Sequence, residues 1–77
     1  MDWTKHITSD QNILSGKPII KGTRLSVEFL LGLLSEGWTQ QRVPKNYPAL
    51  TKEDLQALFA YAQKNIEEVT VLDLSKI

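Results

Sequence analysis

Cysteine is absent from this 77-residue chain. Its absence excludes disulfides, thiolate zinc sites and cysteine nucleophiles. The single histidine, His6, excludes HExxH and paired-histidine metal sites. Net charge is missing as well: nine Lys+Arg balance nine Asp+Glu. The chain is therefore not a bulk polyelectrolyte for nucleic acid, and zero net charge favours self-association. Long apolar runs are also lacking. The longest uncharged stretch, Leu55 to Gln63, is nine residues, whereas a membrane-spanning helix needs about 20. The opening Met1-Asp2-Trp3-Thr4-Lys5 lacks the basic-then-apolar order of a secretory signal. These absences lead to the expectation of a cytoplasmic protein with no membrane partner. With no repeat or low-complexity tract, one domain is expected over residues 1–77.

What is present is a modest core. Apolar residues make up 42% of the chain. Ordering a chain of this length costs on the order of 100 kcal/mol, at ~1.5 kcal/mol per residue. A domain this small buries only about 60% of its unfolded surface, so a second subunit would add stability and a homodimer is expected. Charge is unevenly spread. Residues 1–45 carry six Lys/Arg and four Asp/Glu, and residues 46–77 carry three and five.

Residues 1–25 read as extended chain and turns, with short strands over 6–8 and 18–20. Asp10-Gln11-Asn12 and Ser15-Gly16-Lys17-Pro18 are turn clusters, and Gly22 permits a positive φ. From Ser26 the period changes. Val27, Leu30, Leu31 and Leu34 mark one helix face, with Ser26 as N-cap and Gly37 as the residue past its end. Gly32 inside that helix suggests close approach of another backbone. Thr39 can cap a short second helix, disturbed within about a turn by Pro44. Thr51 caps a third, with Asp54 in the capping-box position and Leu55, Leu58, Phe59, Ala62 and Ile66 as its core stripe. Residues 67–77 hold no single period and are assigned to a C-terminal tail, leaving residues 26–66 as a three-helix core.

The expected fold is mainly α: a trihelical, homeodomain-like or helix-turn-helix-type bundle with a short N-terminal β-strand region. The outward positions of the third helix would be Lys52, Glu53, Gln56, Ala57, Ala60, Gln63 and Lys64. That face is polar but not basic.

Motifs for chemistry are sparse. Gly16-Lys17-Pro18 fails as a phosphate loop, because Pro18 removes an N–H where Ser or Thr should stand. His6 has Asp2, Ser9 and Asp10 close in sequence, but a catalytic relay is built by the fold rather than by neighbours. Glu53 and Asp54 point about 100° apart on a helix and do not converge; both suit a helix N-terminus. Trp3 and Trp38 are expected to pack structurally. Lys17, Lys21 and Arg24 form the dense basic cluster. They could contact phosphate, or, for Arg24, bond backbone carbonyls at the strand-to-helix turn.

Several ordered blocks resemble a known family. Residues 16–27 match its GKPxIxGTRxxV signature. Glu36-Gly37-Trp38-Thr39 is similar to its GxS/T turn, Tyr47-Pro48-Ala49-Leu50-Thr51 to its YPxLT, and residues 54–62 to its DIxAALxYA helix. On these blocks the stretch from Ile7 to Ala62 resembles domain-of-unknown-function family 433. Pro44 falls where that family often has an ordinary helical residue, which would shorten the second helix.

The resemblance implies a small winged or trihelical DNA-binding-type domain, of a kind regarded as a VapB-type antitoxin in a toxin–antitoxin system. The implied partner is a PIN-like ribonuclease toxin, which holds metal with acidic residues. A cation beside an apolar anchor would block such a site, so Leu72, Leu74, Lys76 and Ile77 are the candidate toxin contacts. An antitoxin of this type often represses its own operon as a dimer. The alternative reading is a stand-alone DNA-binding repressor. Candidate DNA contacts are Lys17, Lys21, Arg24, Arg42, Lys45 and Lys52, with Gln40, Gln41 and Gln56 nearest base edges. No catalytic residue, metal ligand or cofactor is assigned, and no enzyme activity is expected.

Overall fold

A computed structural model describes residues 1–68. Along them run strands β1 (Ile7–Thr8) and β2 (Ile19–Ile20), then helices α1 (Val27–Ser35), α2 (Arg42–Asn46) and α3 (Lys52–Glu68). Three-residue 3-10 turns, Trp3–Lys5 and Leu14–Gly16, flank β1. The domain is thus mostly helical: three helices and a short two-stranded N-terminal hairpin.

The strands pair antiparallel, Ile7 opposite Ile20 and Thr8 opposite Ile19. The Lys21 N–H reaches the His6 carbonyl at 2.8 Å and extends the pairing. Beyond β2 the chain doubles back through Gly22, at φ +79°. Thr23 closes this turn. Its hydroxyl donates to the Ile20 carbonyl at 2.8 Å and accepts the Leu25 N–H at 3.0 Å. The role suggested for Arg24 at this turn is therefore filled by Thr23, and Arg24 is exposed.

Helix ends follow their capping chemistry. The Ser26 hydroxyl accepts the Phe29 N–H at 2.9 Å and starts α1. At its end the Trp38 N–H bonds the Leu33 carbonyl and the Gly37 N–H bonds that of Leu34, both at 3.1 Å. This double closure needs a left-handed residue past the helix, and Gly37 supplies φ +101°. Thr39 accepts the Arg42 N–H at 3.0 Å and leads into α2. Pro44 is the third residue of α2, inside the first turn, where a missing N–H is tolerated. Thr51 and Asp54 make a reciprocal cap: each side chain accepts the other's N–H at 3.0 Å.

The core joins Ile7 and Ile20 of the hairpin to Val27, Leu30 and Leu33 of α1, Val43 of α2 and Leu55, Ala57 and Leu58 of α3. Full burial of an aliphatic side chain stabilises by about 1.5–3 kcal/mol, and Leu30 and Leu58 are almost wholly buried.

Four sequence expectations need correction. Phe59 and Ile66 are 40% and 58% exposed, whereas Ala57, expected outward, is fully buried. At 100° per residue, the buried face is turned by roughly 60° from the expected stripe. The N-terminal segment causes the turn: Trp3 packs edge-on against Tyr61 with ring centroids 4.9 Å apart, and His6 bonds Asp54. On α1, Leu33 is buried while Leu31 and Leu34 are partly buried. Gly32 opens on empty space, with nothing within 4 Å of where a Cβ would stand, so no backbone among the described residues approaches it. Finally, α3 runs to Glu68, two residues into the span assigned to the tail.

Candidate functional site

The sequence-derived candidates fall on separate surfaces. Lys17 and Arg24 line one groove with Leu14, Ser15, Phe29 and Tyr47. Lys21 lies with Arg24 on a second groove that also carries Asp10 and Thr23. The basic cluster thus straddles two grooves joined by Arg24. Lys17 Nζ reaches Glu28 Oε2 at 3.3 Å, with both side chains well exposed, so this pair contributes little.

The turn entering the first groove is unusual. Leu14 and Ser15 have φ of +50° and +57°, and Gly16 follows at +83°. Glycine accepts that geometry readily, whereas Leu and Ser pay backbone strain of roughly 1–3 kcal/mol each. Opposite the turn, Phe29 and Tyr47 form an edge-on ring pair with centroids 5.8 Å apart. Sequence reasoning missed this wall. Phe29 lies off the apolar stripe of α1, and that was the available signal.

Gln40, Gln41, Lys52 and Gln56 line a third groove with Pro44, Leu55 and Phe59, at the junction of α2 and α3. Four of the nine DNA-contact candidates therefore come together. Arg42 is committed elsewhere, its guanidinium 3.9 Å from the centre of the Trp38 ring. Lys45 is exposed in the last turn of α2.

A fourth groove runs between α1 and the second half of α3. Pro18, Val27, Leu31, Tyr61, Ala62 and Ile66 form its apolar lining, with Lys17, Glu28 and Asn65 also along it. The toxin-contact candidates Leu72, Leu74, Lys76 and Ile77 lie outside the described residues.

His6 finds its partner far away in sequence. Its Nδ1 is 2.9 Å from Asp54 Oδ1. A carboxylate only accepts, so Nδ1 carries the hydrogen. Asp54 Oδ2 is occupied by the Thr51 N–H, so the pair joins two backbone segments. Asp2 instead accepts from the Thr4 N–H and hydroxyl. Those two bonds hold its carboxyl below the usual carboxylate range. Among the described residues no group of three or more His, Asp or Glu is placed to hold a metal ion, and no helix is long and apolar enough to cross a membrane.

Comparison with known proteins locates the fold. Residues 7–62 match the family model described as "Protein of unknown function (DUF433)", the same stretch that carries the ordered motif blocks. A crystal structure of a DUF433 member protein from Anabaena variabilis superposes with a TM-score of 0.74 at 32% identity, covering 80% of this chain and 61% of that one. The uncharacterized protein y4eO of Sinorhizobium fredii is 30% identical over 59 residues, covering 77% of this chain and 27% of that protein. The chain thus spans less than two thirds of either relative.

Proposed function

The chain belongs to the DUF433 family, and on that premise we propose that it is a non-enzymatic, antitoxin-like protein of the cytoplasm that neutralises a PIN-like ribonuclease toxin. The observation that carries the reading is the apolar groove between α1 and α3. Ile66 stands 58% exposed at its end, and residues 69–77 continue directly from the helix that lines it. Exposed apolar surface of this kind can serve as a protein-binding site. Apolar Leu72, Leu74 and Ile77 beside Lys76 supply the anchor and cation suited to an acidic metal-binding nuclease site. In this reading the groove and these four residues contact the same toxin, and two copies of the chain pair.

Co-expression with the product of the adjacent reading frame tests the proposal. A stable complex and loss of the neighbour's ribonuclease activity are the expected results. Separate elution with ribonuclease activity intact overturns it.

A second reading, DNA binding by a homeodomain-like helix-turn-helix, rests on a different observation. Gln40, Gln41, Lys52 and Gln56 share one groove at the α2–α3 junction, the place from which a reading helix would enter the major groove. An antitoxin that represses its own operon would use both surfaces. Exposed Glu53 at the start of α3 weakens phosphate attraction there.

A further inference from the structure

We propose that the groove between the Leu14–Gly16 turn and the start of α1 binds a small organic anion, a carboxylate or phosphate carried on a flat apolar body. The proposal goes beyond the antitoxin reading, since it does not use the far end of α3. The groove is open to solvent and has a volume of about 590 Å³, within the roughly 300–1,000 Å³ typical of small-molecule sites. Lys17 and Arg24 are its charged residues, and no carboxylate lines it. Arg24 forms no ion pair or hydrogen bond among the described residues. A guanidinium in that state is free to take a carboxylate or phosphate through two parallel hydrogen bonds.

The apolar wall fits the rest of such a ligand. Leu14 and Phe29 are each 44% exposed, and both line the groove. Phe29 and Tyr47 meet at an interplanar angle of 88°; Tyr47 is also flanked by the Trp38 ring at 6.4 Å, so the more exposed Phe29 ring is the one offered for stacking. The backbone adds a separate argument. Leu14 and Ser15 sit in the left-handed region, and strained non-glycine residues cluster at ligand clamps. Burial does not repay the strain at Leu14, which remains half open to solvent.

The test follows backbone amide shifts of the isotope-labelled full chain during titration with benzoate, phenyl phosphate and neutral benzamide. At least one of the two anions is expected to shift Leu14, Ser15, Leu25 and Phe29 at millimolar concentration. Which anion does so identifies carboxylate or phosphate as the preferred group. Arg24→Gln should weaken that anion about tenfold and leave the benzamide response unchanged, while Phe29→Ala should weaken both. Arg24 is exposed, so the variant's unperturbed spectrum controls for folding. No shift from either anion, shifts centred elsewhere such as Ile66, benzamide binding as tightly as the anions, or anion affinity unaltered by Arg24→Gln would each overturn the proposal.

Discussion

His6 Nδ1 lies 2.9 Å from Asp54 Oδ1, while Asp54 Oδ2 accepts the Thr51 N–H at 3.0 Å. One carboxylate therefore caps α3 and fastens the N-terminal segment to it. Asp54→Ala removes both bonds and should destabilise the domain by about 1–3 kcal/mol. Asp54→Glu restores the common capping-box residue but moves the carboxylate away from His6, and should fall between the two. Denaturant unfolding of both variants, with a double-mutant cycle to His6→Ala, checks this. A coupling energy near zero between residues 6 and 54 would contradict the shared role.

Gly37 and Gly32 should respond in opposite directions to alanine. Gly37 holds φ +101° past α1, so Gly37→Ala should cost about 1–2 kcal/mol. Gly32 lies inside α1 with open space where a Cβ would stand, so Gly32→Ala should stabilise by up to about 1 kcal/mol. Thermal unfolding separates the two outcomes. Destabilisation by Gly32→Ala would reveal a close neighbour at that face, as an intersubunit contact would supply.

Acid should loosen the N-terminus before the core. Two hydrogen bonds from Thr4 hold the Asp2 carboxyl below its ordinary value of 3.8. A depressed carboxylate contributes its full effect above the unfolded value and loses it as pH falls through the lower folded one. The Trp3–Lys5 turn should therefore fray as pH falls below the ordinary carboxylate value. Amide shifts of Thr4 followed through an acid titration check this, and Asp2→Asn should remove the transition.

The DNA reading predicts a salt slope. If about three basic side chains per subunit touch phosphate, log K should fall with log salt at a slope near −3 per subunit. Titration on the protein's own upstream DNA checks it, and a flat response removes DNA from the account. Lys52→Ala should reduce the slope by about one.

Local chemistry was legible where the deciding atoms lie within a few residues. The Ser26 cap, the Gly37 terminus, the Thr51–Asp54 box and both strands are short-range features, and the structure has them within a residue or so of expectation. The family blocks were legible for a similar reason, being fixed words in fixed order over residues 7–62. The partner of His6 was not legible, because 48 residues separate it from Asp54. The face of α3 was misjudged for the same cause: Trp3 and His6 cover the side holding Tyr61 and Asp54, leaving Phe59 outside. Nothing in the residue types at Leu14 and Ser15 signals a left-handed turn; only Gly16 does. The grooves follow from such long-range packing, so composition named their residues without showing which would meet.

Removal of residues 69–77 tests the proposed toxin contacts directly. Truncation after Glu68 leaves every described core residue in place, so the unfolding midpoint should change little. The most direct measurement of the central claim compares the full chain and this truncation, each co-expressed with the neighbouring gene product, by size-exclusion chromatography with light scattering. The account predicts a stable complex with the full chain and none with the folded truncation. A full chain that elutes apart from an active neighbouring ribonuclease, or a truncation that binds it unchanged, would contradict the account.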